Sequence, residues 1–221
     1  MLVSHKKHFI FTKTFKTAGT SVESYFEQYC MPDGEWQESH PREEFISETG
    51  IIGYRGIKKD NLTWYNHMPA KRISDLIGHD IFESYFKFTV IRNPFDKLIS
   101  AFFWDYKHFF LDNRQIAKCT IIDNFRRWIQ NGGIHIDRDK YLIDEQECVD
   151  YFIHFEDLHN GIKHVCNHLS IPFEASRIPE FKKGIRHHRI NIQDYYDNKT
   201  KQIVKEKYAW ELERFGYNLP I

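Results

Sequence analysis

The sequence predicts an α/β fold in which helices flank a central parallel sheet. Two strand–loop–helix units carry that prediction, together with the alternation of the remaining elements. The first unit opens with an apolar strand at about His8 to Thr12. It runs through Lys13-Thr-Phe-Lys-Thr-Ala18 into a helix from about Gly19 to Cys30, where Val22, Tyr25, Phe26 and Tyr29 recur at spacings of three and four. The second unit is Phe86-Lys-Phe-Thr-Val-Ile91, ended by Arg92-Asn-Pro94. There Asn93 suits a helix cap and Pro94 the first helical position. Strands separated by helices favour parallel pairing, with ligands at the carboxyl ends of the strands.

The other elements follow in order. Residues 31–54 read as loop, punctuated by Pro32, Gly34, Pro41, Gly50 and Gly53. A helix from Pro69 to Ile77 carries Ile73, Leu76 and Ile77 on one face and meets Gly78 just past its end. The helix after Asn93 continues through Leu98, Ala101 and Phe102 to about Asp105. Ile121 to Ile129 is amphipathic, Tyr151 to His154 a short strand, and Leu158 to Leu169 a helix. Lys199 to Phe215 forms the last helix, stopping near Gly216. No repeat and no linker rich in Pro, Gly or Ser divides the chain, so residues 1–221 are expected to be a single domain.

Lys plus Arg and Asp plus Glu both number 31, which argues against a protein that coats nucleic acid. The aromatic share of 16% exceeds what a core strictly needs, so some rings are expected to line a cleft. Cys30, Cys119, Cys148 and Cys166 lack metal-ligand spacing and read as reduced, packed thiols. The N-terminal residues hold no apolar run of signal-peptide length, and no stretch approaches a membrane span. A soluble, cytoplasmic protein is the expectation; oligomeric state is unreadable.

The first loop is an anion cradle in outline. Backbone N–H groups converge at a helix N-terminus, the helix dipole adds partial positive charge, and Lys16 adds a full one. It is not a Walker A loop, which ends in Gly-Lys-Ser/Thr; here Lys16 precedes Gly19, and Thr20-Ser21 follow the glycine. Arg92, with Ser100 a little over two helical turns further on, admits two readings. The pair can hold a phosphate through charge-assisted bonds, or Arg92 can simply pair with Asp96 while Ser100 packs.

Lys16-Thr-Ala-Gly-Thr-Ser21, followed about seventy residues later by Arg92-Asn-Pro-Phe-Asp-Lys-Leu-Ile-Ser100, resembles the sulfotransferase superfamily, in its carbohydrate-type branch with compact bacterial members. Asn66-His-Met-Pro-Ala70, Phe155-Glu-Asp-Leu158, Tyr195-Tyr-Asp197 and Phe215-Gly-Tyr217 extend the resemblance over most of the chain. It implies a P-loop-like nucleotide-binding fold and 3′-phosphoadenosine 5′-phosphosulfate as co-substrate. Lys16, Thr17, Ala18, Gly19, Thr20 and Ser21 would hold the 5′-phosphosulfate, Arg92 and Ser100 the 3′-phosphate. A late basic segment closes over the nucleotide in the family; Arg186 or Arg189 would supply it here. The acceptor implied is a hydroxyl of a carbohydrate or glycolipid, but residues 31–66 and 105–120, which should shape its pocket, carry no readable motif.

Sulfuryl transfer passes through a loose transition state, so catalysis rests on placement and charge stabilisation. Lys16 suits the leaving bridging oxygen. His67, in Trp64-Tyr-Asn-His-Met-Pro69, is the candidate base, since an imidazole near pKa 6.5 is mostly neutral at cell pH. Glu23 and Asp60 are weaker candidates. No metal is needed if Lys16 and the helix dipole neutralise the developing charge. Lys13 either contacts the donor or, as the slightly favoured reading, faces solvent. Phe15 stands where many relatives carry proline, which could loosen the loop without removing its donors. Trp36, Trp64, Tyr65, Trp104 and Tyr106 either stack on sugar or pack. Two rival functions remain: a P-loop kinase of a small metabolite, and a catalytically silent nucleotide-binding module that binds a partner.

Overall fold

Alternate residues of the first strands point to opposite sides, and that alternation builds the two faces of a six-stranded sheet. In the computed structural model, which describes residues 1–56, 59–112, 115–179, 181 and 190–220, two compact units are present. One comprises Met1–Ile91 with Asp137–Phe181, the other Arg92–Ile136 with Lys182–Ile221.

The first unit holds the sheet. Its strands are β1 (Leu2–Ser4), β2 (Phe9–Phe11), β3 (Phe45–Ser47), β4 (Gly50–Ile52), β5 (Phe86–Ile91) and β8 (Tyr151–His154), in the order β3-β4-β1-β2-β5-β8. A separate two-stranded ribbon is formed by β6 (Leu142–Ile143) and β7 (Gln146–Glu147). The helices of this unit are α1 (Gly19–Glu27), α2 (Ala70–Ile77), α3 (His79–Ser84) and α7 (Leu158–His168). Phe9, Phe11 and Phe88 pack with Val22, Tyr25 and Phe26 of α1 and Ile162 and Val165 of α7. Val3, Ile10 and Ile51 face the other way, onto Ile73 of α2 and Phe82 of α3. A period of two thus feeds two helical layers.

The expected parallel pairing holds at one end of the sheet, and antiparallel strands extend it at the other. β2, β5 and β8 are parallel, with Phe11 opposite Phe88 and Ile91 opposite His154. β1 runs antiparallel to β2 and β4, and β3 to β4. Residues 31–54, expected as loop, contain the β3–β4 hairpin, and Leu2–Ser4 is a buried strand with no sequence signal beyond its apolarity. Gly50 allows the hairpin to lie close: a Cβ there would sit 2.4 Å from the Val3 carbonyl oxygen. Strand β5 and strand β8 keep the boundaries expected of them.

The second unit is helical, with α4 (Pro94–Asp105), α5 (Lys107–Asp112), α6 (Lys118–Gln130), α8 (Ile192–Tyr195), α9 (Asn198–Lys207) and α10 (Ala209–Phe215). Asn93 caps α4 as expected, its side chain accepting from the Phe95 amide at 3.0 Å, with Pro94 in the first turn. The single last helix expected from Lys199 is two, broken at Tyr208, and the first is held by a capping box between Asp197 and Thr200. Much of the aromatic surplus is spent in this unit's core: Phe125 lies 5.5 Å from Phe102, 5.2 Å from Tyr195 and 5.0 Å from Tyr196, centroid to centroid. No described helix is long and apolar enough to cross a membrane.

Candidate active site

The loop after β2 is tied to the sheet before it turns into α1. The Thr12 amide donates to the Phe88 carbonyl at 3.1 Å, and the Thr89 hydroxyl returns a bond to the Thr12 carbonyl at 2.8 Å. Thr14 donates its hydroxyl to the Val90 carbonyl, and Thr17 Oγ1 lies 2.8 Å from Thr14 Oγ1. Asp137 accepts the Phe15 amide at 3.0 Å from a buried position. These bonds leave residues 15–18 little freedom.

Within that frame Lys16 and Ala18 take left-handed conformations, with φ of 60° and 62°. A non-glycine residue there costs about 1–2 kcal/mol, so the loop stores strain that its ties must hold. Alternating hands of this kind turn successive amides toward one side, as in anion-binding nests. Among the described residues no acceptor is found for the amides of Thr17, Ala18, Gly19 and Thr20. The Ser21 amide is already committed to the Ala18 carbonyl at 2.9 Å, and the Thr17 hydroxyl to Thr14. The cradle is therefore four amides, the Thr20 and Ser21 side chains, and half-buried Lys16.

Lys13 corrects an expectation: it is 2% exposed and does not face solvent. Its Nζ donates to Glu23 Oε2 at 2.6 Å, and its stem crosses the start of α1 so closely that a Cβ on Gly19 would stand 2.8 Å from Lys13 Cγ. Glu23 also accepts from Arg55 Nη1 at 2.6 Å and from the Met1 amino group. Arg55 pairs in addition with Glu27, and donates to the Ser39 carbonyl at 2.8 Å and the His40 carbonyl at 2.6 Å. Burial pushes the Glu23 carboxyl up, but Lys13, the Met1 amino group and Arg55 more than offset it and hold it well below the usual carboxylate range. So spent, Glu23 is a structural anion rather than a base. Asp60 is exposed.

His67 comes to the loop from the segment before α2. Its φ is 57°, its ring meets Phe15 edge-on at 5.7 Å, and its Nδ1 lies 3.1 Å from the Lys13 carbonyl oxygen. A carbonyl only accepts, so Nδ1 carries the proton and donates, leaving the lone pair on Nε2. Burial, and then the charges of Lys13 and the Met1 amino group, lower its pKa to about 3, so the imidazole is neutral across the physiological range. Phe15 gives that ring its edge contact.

Arg92 directly follows β5 in the chain and belongs with Ser100 to the second unit. Arg92 Nε and Nη2 both donate to Asp96 Oδ2, at 2.9 and 2.6 Å, which is the ion pair the sequence allowed for. Ser100 is half-buried on α4. Arg186 and Arg189 lie outside the described residues. The sequence did not single out Asp137 or Arg55 at all. Asp137 is 122 residues from its partner Phe15, and no local pattern announces such a tie.

The strained loop, its open amides and its lysine fit an anionic group, and the Nε2 lone pair fits a hydroxyl donor. No curated protein and no solved structure gives a significant match to the chain. The family described as "Sulfotransferase family" matches residues 1–218, nearly the whole sequence. The chain thus belongs to the sulfotransferase family, whose reaction is sulfuryl transfer.

Proposed function

We propose that this protein transfers a sulfuryl group from 3′-phosphoadenosine 5′-phosphosulfate to a hydroxyl of a carbohydrate or glycolipid acceptor. The observation that carries the reading is the pairing of an open anion cradle at residues 16–21 with a neutral imidazole whose tautomer is set by the Lys13 carbonyl. The co-substrate supplies an activated sulfuryl group on a phosphate leaving group. The amides of residues 17–20 and the N-terminus of α1 bind and orient its anionic end. Lys16 offsets the negative charge that grows on the leaving oxygen. His67 accepts the acceptor's proton at Nε2 while Nδ1–H stays on the Lys13 carbonyl. Arg92 and Ser100 add donor affinity through the 3′-phosphate, with Asp96 orienting the guanidinium. No metal takes part in this scheme.

The test is calorimetry with adenosine 3′,5′-bisphosphate in the absence of magnesium, followed by a transfer assay against a panel of unsulfated glycans. Tight metal-independent binding and sulfation of a glycan are expected. A preference for ATP with magnesium overturns the reading.

A further inference from the structure

We propose that a cavity in the helical unit is a subsite for an acidic saccharide, which anchors the acceptor. Its role in acceptor binding rests on the transfer reading above; its capacity to bind sugar does not.

The cavity has a volume of about 590 Å³, enough for one or two sugar rings, and lies among α4, α5, α6 and the turn after α6. Its floor is Phe102, whose ring stands 5.2 Å from Tyr106 and 5.8 Å from Trp128. At the rim Tyr106 is 45% and Phe109 41% exposed, unusual for rings that a core could have used. The facing wall is a stripe of α6 and the residue beyond it. Asn124, Arg127, Trp128 and Asn131 recur at three- and four-residue spacings and so share one side of the helix. Gly133 lies so close on the indole that a Cβ would come within 2.2 Å of it, which holds the Trp128 ring in place.

The polar part of the lining decides the ligand class. Among the described residues the side chains of Asn124, Arg127 and Asn131 have no hydrogen-bond or ion-pair partner. An alkyl chain in the cavity would cover these groups without satisfying them, which is costly. A sugar ring lays its C–H face on the aromatics while its hydroxyls pair with the side-chain amides, each of which both donates and accepts. Arg127 adds a planar fork suited to a carboxylate or sulfate. One lining cation matches one acidic group, not a polyphosphate. Phe102 and Tyr106 lie about 12–18 Å along the helix axis from Pro94, taking roughly 1.5 Å per residue, so this subsite is distinct from the Arg92 end of α4.

The experiment is calorimetry on the full chain with an unsulfated glucuronate-containing disaccharide, its neutral counterpart, and decanoate. Variants are Arg127→Ala and Tyr106→Ala, both at exposed positions that leave the core intact. The acidic disaccharide should bind best. Arg127→Ala should weaken it at least tenfold and leave the neutral sugar unaffected, and Tyr106→Ala should weaken both sugars. Absence of saccharide binding, equal affinity in both variants and wild type, or tighter binding of decanoate overturns the proposal. Adenosine 3′,5′-bisphosphate is titrated in parallel: its failure to bind while the disaccharide binds would defeat the transfer reading and leave the subsite standing.

Discussion

His67 donates its Nδ1 proton to the main-chain carbonyl of Lys13 at 3.1 Å. Lys13 is held in turn by Glu23 through its side chain. One residue therefore fixes both the imidazole tautomer and the start of α1. His67→Ala should lower kcat by about 10²–10⁴-fold, the range for losing a general base, with affinity for adenosine 3′,5′-bisphosphate unchanged. Near-normal turnover in that variant would remove His67 from the mechanism.

The pH profile should be displaced. An unperturbed histidine base would give kcat/KM an acid limb near pH 6.5, whereas His67 is lowered to about 3. Activity should thus persist well below pH 6.5 before base protonation removes it. Lys13→Met deletes a positive charge that lowers His67, so the limb should move upward. The same sign governs stability: the unfolded histidine binds its proton first. Stability attributable to His67 is whole above pH 6.5 and declines as pH falls toward 3. A limb near 6.5 in wild type would contradict this arrangement.

Lys16→Ala should reduce kcat by about 10²–10³-fold, as for loss of one charge-stabilising donor at a developing oxyanion, with an unchanged circular dichroism spectrum. A fall in donor affinity with kcat preserved would make Lys16 a binding residue only.

Ala18 is left-handed at φ 62°, so a β-branched side chain should not be tolerated. Ala18→Val should lower the melting temperature and weaken nucleotide binding together, at a cost of about 1–3 kcal/mol. Ala18→Gly should preserve both, because glycine adopts this conformation freely. Equal behaviour of the two variants would show that the loop is not under this constraint.

Glu23→Ala leaves Lys13 and Arg55 buried without their shared anion. The expected loss is about 3–5 kcal/mol, read as a shift of the urea midpoint at constant slope. Low pH should act in the same direction, since the Glu23 carboxyl is depressed and its contribution is lost as pH falls through that lowered value. A midpoint within experimental error of wild type would mean the network adds no net stability.

Local chemistry was legible in residues 9–30 and 86–105 because strand, cap and helix signals all act within a few residues. Asn93, Pro94 and the bounds of β5 followed directly. The run of the loop Lys16–Ser21 into a helix N-terminus was legible for the same reason, and so was the Arg92–Asp96 pair, whose partners sit one helical turn apart. Three-residue strands such as Leu2–Ser4 and Phe45–Ser47 are too short to show a period, and their pairing directions are set by the neighbours they find. Tertiary structure alone decided that Lys13 is buried, that Glu23 is an anion rather than a base, and that His67 is tied to the Lys13 carbonyl. It also decided that Asp137 holds the loop. Each of those is a desolvated contact between distant residues, and the burial that sets its energy exists only once the chain has folded.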